Sequence, residues 1–136
     1  MNKKDLKKLK EVVENNYKWP LILEGVSPDY FPSGVIVEGD IDSGKLESFE
    51  TVRGEKIPAW LTALNISSKK YDRALLIING IDEVDFIEQE KFMYILKGSS
   101  TCTLPENTQI LLTVSDAEKV SAKIKQLCII YKVENK

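Results

Sequence analysis

Histidine is missing from this 136-residue chain, arginine occurs only twice (Arg53 and Arg73) and cysteine only twice (Cys102 and Cys128). Without an imidazole, the usual proton acceptor for a serine or cysteine nucleophile is absent, and so is the commonest ligand of zinc. The cysteines stand 26 residues apart in no CxxC pattern, so neither a zinc knuckle nor a thioredoxin-type redox pair is supported. They read as the reduced thiols of a cytoplasmic protein, one in the core and one half-buried.

An excess of charge of either sign is lacking too. Lys and Arg number 19 against 21 Asp and Glu, a formal net charge of -2. That balance predicts no nucleic-acid partner. Lysines do gather at positions 3, 4, 7, 8 and 10, but acids follow them, and the segment reads as the solvated face of a helix. No apolar run approaches the roughly 18 residues of a membrane span, and the N-terminus lacks a signal peptide's apolar core.

What is present is a series of short apolar runs. The most pronounced is Ala74 to Ile78 within R-A-L-L-I-I-N-G-I-D-E-V-D-F, which reads as a strand buried on both faces that ends in a glycine turn and an acidic pair, Asp82 and Glu83. Further strands are predicted at Leu21 to Leu23, Val35 to Val37, Gln109 to Val114 and Cys128 to Val133. Helical spacing marks residues 4–16, 57–65, 84–97 and 117–127, with a polar link over 67–72. Five strands separated by helical or long connections predict one α/β domain spanning 1–136, a mostly parallel sheet flanked by helices in three layers.

In such sheets ligands sit beyond the carboxyl ends of the strands. One candidate there is G-D-I-D-S-G-K-L, Gly39 to Leu46, a GxxxxGK pattern in which Gly39, Ser43, Gly44 and Lys45 would cradle phosphates. Leu46 stands where a magnesium-binding Ser or Thr belongs, and Asp40 and Asp42 place negative charge where phosphates would lie.

The order of these elements resembles the core of the AAA+ ATPases, especially their MoxR-type branch. Pro58 to Leu61, P-A-W-L, resembles that branch's Pro-Pro-Trp-Leu element. Ala74 to Ile78 resembles the Walker B strand, with Gln89 in the helix after it. Leu104-Pro105 precedes Gln109 to Val114, which resembles the sensor 1 strand. Upstream, P-L-I-L-E-G (Pro20 to Gly25) is similar to the strand that enters the family's phosphate loop.

The resemblance implies a truncated P-loop NTPase-like domain without a lid, with ATP and magnesium as the cofactors of an active member. Where the family has its Walker B acids this chain has Asn79 and Gly80, and Asp82 and Glu83 arrive three residues late, where they also suit the start of a helix. The loop V-S-P-D-Y-F-P-S-G after Gly25 carries no GK. The sensor 1 polar residue is matched only by Thr113, Ser115 or Asp116, and no late loop carries an arginine finger.

Three readings follow. The first is a catalytically silent AAA+-like module that binds another protein or its own copies, with Tyr30, Phe31 and Trp60 as interface anchors. The second is an ATPase using the Gly39–Lys45 loop with Asp82 or Glu83 on the metal. The third is a divalent-metal hydrolase built on Asp40, Asp42, Asp82 and Glu83.

Overall fold

A computed structural model describes residues 2–39, 59–90, 92–93 and 104–133. Its frame is a five-stranded, wholly parallel sheet. The strands are β1 (Leu21–Glu24), β2 (Val35–Glu38), β3 (Ala74–Asn79), β4 (Thr108–Val114) and β5 (Ile129–Lys132), in the spatial order β2-β3-β4-β1-β5. Each strand predicted from an apolar run is found within a residue of its expected ends.

Alternation along the strands divides the core in two. Ile22, Leu76, Ile78 and Leu112 point to one face, where they pack with Leu61 and Leu64 of α2 (Ala59–Lys70), with Phe92, and with Ile124 of α4 (Ala122–Lys125). Leu21, Leu23, Ile77 and Leu111 point to the other, under Leu9 and Val13 of α1 (Lys3–Asn15) and Phe31. Helices thus cover both faces, giving the three-layer α/β architecture that the sequence predicts.

The helix α1 begins where the Asn2 side chain accepts a hydrogen bond from the Asp5 amide at 2.8 Å. It stops at Asn16, whose Nδ2 donates to the Val12 carbonyl at 2.8 Å. The polar link expected over 67–72 is in large part helix, because α2 runs on to Lys70. Ser67 is buried, Ser68 Oγ donates back to the Asn65 carbonyl, and Lys69 and Lys70 suit the negative end of the helix dipole. The helix expected over 84–97 is described as α3 (Phe86–Glu90), started by Asp85, whose Oδ1 accepts from the Glu88 amide at 2.9 Å.

The long helix expected over 117–127 is instead a 3-10 turn, Ala117–Lys119, followed by α4. The break has a visible cause: the Ser121 amide is drawn out to Gln89 Oε1 at 2.6 Å and so leaves the helical ladder. Gln89 is fully buried and donates from Nε2 to the carbonyls of Val84 and Lys119, so one amide side chain ties α3 to the connection before α4.

One connection is unusually short for its reach. Parallel neighbours commonly need a crossover of a dozen or more residues, mostly a helix. Here β1 and β2 lie three positions apart in the sheet, yet only ten residues, 25–34, join them. They hold a single 3-10 turn, Pro28–Tyr30, and drop Val26 and Phe31 onto Ile77 and Leu111. The layer on this face is therefore supplied by α1 from the chain's start and by this loop.

Candidate ligand cleft at the strand carboxyl ends

Three strands finish in the same way. Glu24-Gly25 closes β1, Glu38-Gly39 closes β2 and Asn79-Gly80 closes β3. Each glycine amide carries the ladder one step further: Gly25 donates to Val114, Gly39 to Asn79 and Gly80 to Thr113, at 2.7 to 2.9 Å. Gly25 and Gly80 then turn the chain with φ of 81° and 78°, values that side chains strain to reach. Gly39 is needed for space, since a Cβ there would sit 2.6 Å from the Ile81 nitrogen.

Glu38 and Asn79 lie in register with each other and with Thr113 of β4, forming a row across β2, β3 and β4, whereas Glu24 pairs one step further on with Val114 and Lys132. Asn79 Nδ2 donates to Glu38 Oε2 at 3.1 Å, and Thr113 Oγ1 donates to Asn79 Oδ1 at 2.8 Å. On β1, Glu24 Oε2 pairs with Lys132 of β5 at 3.6 Å. Asn79 and Thr113, which the sequence resemblance sets against the Walker B and sensor 1 positions, are thus bonded to each other.

Beyond this row opens a cleft of about 370 Å³, walled by Gly25 to Pro28 on one side and by Gly80 to Glu83 and Ser115 on the other. Asp82 is the residue that shapes it. Only 6% exposed, it accepts hydrogen bonds at Oδ2 from the amides of both Ser115 and Asp116, each at 3.0 Å. The next amide, Ala117, is taken by Glu24 Oε1 at 2.7 Å. Three consecutive backbone N–H groups after β4, the kind of array that binds phosphate, are therefore filled by the protein's own carboxylates.

Of the turn and the start of the next helix, either of which its position in the sequence suits, Asp82 takes the turn. It sits in the 3-10 turn Ile81–Glu83 and holds the β4 exit loop, while Asp85 caps α3. Glu83 is exposed at the lip of the cleft. Ser43, Gly44 and Lys45, with Asp40 and Asp42, lie outside the described residues. Gly39, the first member of that motif, is buried against the backbone of Gly80 and Ile81.

The three proposed interface aromatics do not share a surface. Phe31 is 7% exposed and belongs to the core under α1, with Tyr30 packed partly against it. Trp60 packs on the opposite face of the sheet.

Among the described residues no lysine or arginine lines the cleft, and the ionic groups there are two carboxylates. Among the described residues no three His, Cys, Asp or Glu side chains come together as a metal site. The described residues alone do not supply the cations or free amides that the phosphates of a magnesium-nucleotide need. Sequence reasoning missed the Glu38–Asn79–Thr113 row. Its available signal was the pairing of a polar residue with glycine at the ends of β2 and β3, Glu38-Gly39 and Asn79-Gly80.

No family model matches the chain, and no curated protein matches it. Among solved structures it is similar to a DNA polymerase III, gamma subunit-related protein from Thermotoga maritima, with a TM-score of 0.60 at 17% sequence identity. The match covers 97% of this chain and 46% of that one, so the chain spans just under half of its neighbour's length. The shared property is the fold, a parallel five-stranded α/β sheet flanked by helices. At this identity the likeness is one of fold and singles out no MoxR-type branch. No helix among the described residues is long and apolar enough to cross a membrane.

Proposed function

We propose that this chain is a catalytically silent AAA+-like module that works by binding a protein partner. The observation that carries the reading is the occupation of the Ser115, Asp116 and Ala117 amides by Asp82 and Glu24, beside a cleft that no cation lines among the described residues. A phosphate chain would have to displace two carboxylates from good hydrogen bonds and then lie against their charge. The short β1–β2 connection supports the same reading, because no helix follows β1 to present its N-terminus to a phosphate. Such a module acts through its surfaces, as a regulator or as a non-hydrolysing member of an assembly with another protein or with its own copies, and cytoplasmic placement suits it.

The ATPase reading keeps one favourable observation. Gly39 packs on Gly80 and Ile81, so the loop carrying Ser43, Gly44 and Lys45 starts beside the Asp82 turn. Phosphate release from ATP with magnesium separates the two. The silent module gives the buffer rate, unchanged by Lys45→Ala or Asp82→Asn. A turnover abolished by Lys45→Ala establishes the ATPase instead. For the binding half, the tagged protein should recover a stoichiometric partner from its native host, and a chain that stays monomeric and recovers nothing contradicts it.

A further inference from the structure

The amino end of the sheet, opposite the cleft, carries a second feature that the composition conceals. Tyr17, Lys18 and Trp19 lead into β1, and Lys69, Lys70, Tyr71 and Arg73 lead into β3. Because the strands are parallel, both segments lie at the same end of the sheet. One strand separates β1 from β3, which sets their starts about 10 Å apart. All three aromatic rings are largely exposed: Tyr17 by 48%, Trp19 by 60% and Tyr71 by 43%.

The cations are arranged around these rings. The Arg73 guanidinium stacks on Tyr17 at 4.3 Å, Lys18 lies 5.9 Å from the same ring, and Lys70 lies 5.4 Å from Tyr71. Significant cation–π contacts occur roughly once per 70–80 residues. Here all three found among the described residues fall in one patch.

The platform is also held in place. Arg73 Nη1 donates to the Glu14 carbonyl at 3.0 Å, and Asn107 Nδ2 donates to the carbonyls of Ser68, Tyr71 and Asp72 at 2.9 to 3.4 Å. The chain's net charge of -2 therefore hides two poles. At the carboxyl end Glu24, Glu38, Asp82 and Glu83 stand with Lys132, while at the amino end five cations (Lys10, Lys18, Lys69, Lys70, Arg73) outnumber Glu14, Asp72 and Glu106.

We infer that this amino-end patch binds single-stranded nucleic acid, its exposed aromatic rings stacking on bases while Lys18, Lys69, Lys70 and Arg73 contact the phosphates. Exposed rings interleaved with cations match that ligand because every base offers a π-face and every linkage a charge. An acidic peptide would use the cations and leave the rings idle. The inference is independent of the proposal made for the cleft, since it uses the other end of the sheet and none of the cleft's residues.

The test is fluorescence anisotropy of a labelled oligo(dT) of about 15 nucleotides with the full chain at 50 mM and 200 mM salt. Binding should weaken by roughly fiftyfold between the two, as about four phosphate contacts require. Trp19→Ala and Tyr71→Ala, both at exposed rings, should each weaken it by about fivefold or more at unchanged melting temperature. Lys18→Glu with Lys70→Glu, which leaves all three rings in place, should abolish it. No binding at 50 mM salt overturns the inference. So does binding that the ring variants leave unchanged, or a polyglutamate peptide that competes as well as unlabelled oligo(dT), because either reduces the patch to a plain charge.

Discussion

Asn79 Oδ1 accepts a hydrogen bond from Thr113 Oγ1 at 2.8 Å, joining the carboxyl ends of β3 and β4, while its Nδ2 reaches Glu38 on β2. An amide is the one side chain of this size that can accept on one side and donate on the other. Asn79→Asp keeps the first bond and turns the second into a contact between two carboxylates. The variant should lose about 1 to 3 kcal/mol at pH 7 in urea unfolding. The deficit should shrink at high salt, which screens the repulsion between the two exposed carboxylates. Equal stability of the two proteins at pH 7 would show that the row is not held through Asn79.

Asp82 makes a different kind of prediction because its partners are backbone amides. Asp82→Ala leaves the Ser115 and Asp116 N–H groups without their acceptor and should cost about 2 to 3 kcal/mol. Asp82→Asn retains an acceptor oxygen and should cost less. Hydrogen exchange at the Ser115 and Asp116 amides should accelerate more in the alanine variant than in the asparagine one.

Gly39 distinguishes a packing role from a phosphate-binding one. In Gly39→Ala the new methyl would lie 2.6 Å from the Ile81 nitrogen and 2.8 Å from the Gly80 carbonyl carbon, so backbone must move. Overpacking of this kind costs about 1 to 3 kcal/mol. The loss should appear in thermal unfolding without any ligand present, and a variant of unchanged stability would contradict the close approach.

Cys128 carries a pH dependence. Burial pushes its thiol from 9.0 up to about 12. Below pH 9 both folded and unfolded chains keep the proton, so the thiol contributes no slope. Between pH 9 and 12 the unfolded chain gives up the proton first and binds fewer protons than the folded one. Stability therefore falls with rising pH, by at most about 1.4 kcal/mol per unit. Urea unfolding between pH 8 and 10.5 should show this slope in the native protein and a shallower one in Cys128→Ala. Parallel slopes would contradict the burial of this group.

Much of the fold was legible because β3 and β4 are buried on both faces, which forces unbroken apolar runs such as A-L-L-I-I and I-L-L-T-V. The helix ends were less so. The Ser67-Ser68-Lys69-Lys70 stretch reads as a polar link, yet Ser67 faces the core and the lysines suit a C-terminal turn. The expected helix over 117–127 failed for a reason no local pattern carries, namely the claim of Gln89 on the Ser121 amide across 32 residues. The cleft was hidden likewise. Asp82 stands one residue before Glu83 in a segment that suits a helix start, and only the fold brings the β4 exit amides to its carboxylate. The absence of a helix between β1 and β2, by contrast, could be read directly from V-S-P-D-Y-F-P-S-G.

The central claim is that the strand-end cleft no longer serves a nucleotide, and the melting temperature in the presence of ATP and magnesium tests it most directly. A ligand that binds only the folded chain at one hundred times its dissociation constant stabilises it by about 2.7 kcal/mol, a rise of several degrees for a domain of this size. The account predicts no shift at millimolar ATP and magnesium, in the native protein and in Lys45→Ala alike. A rise of several degrees that Lys45→Ala removes would contradict it and establish the Gly39–Lys45 loop as a working phosphate site.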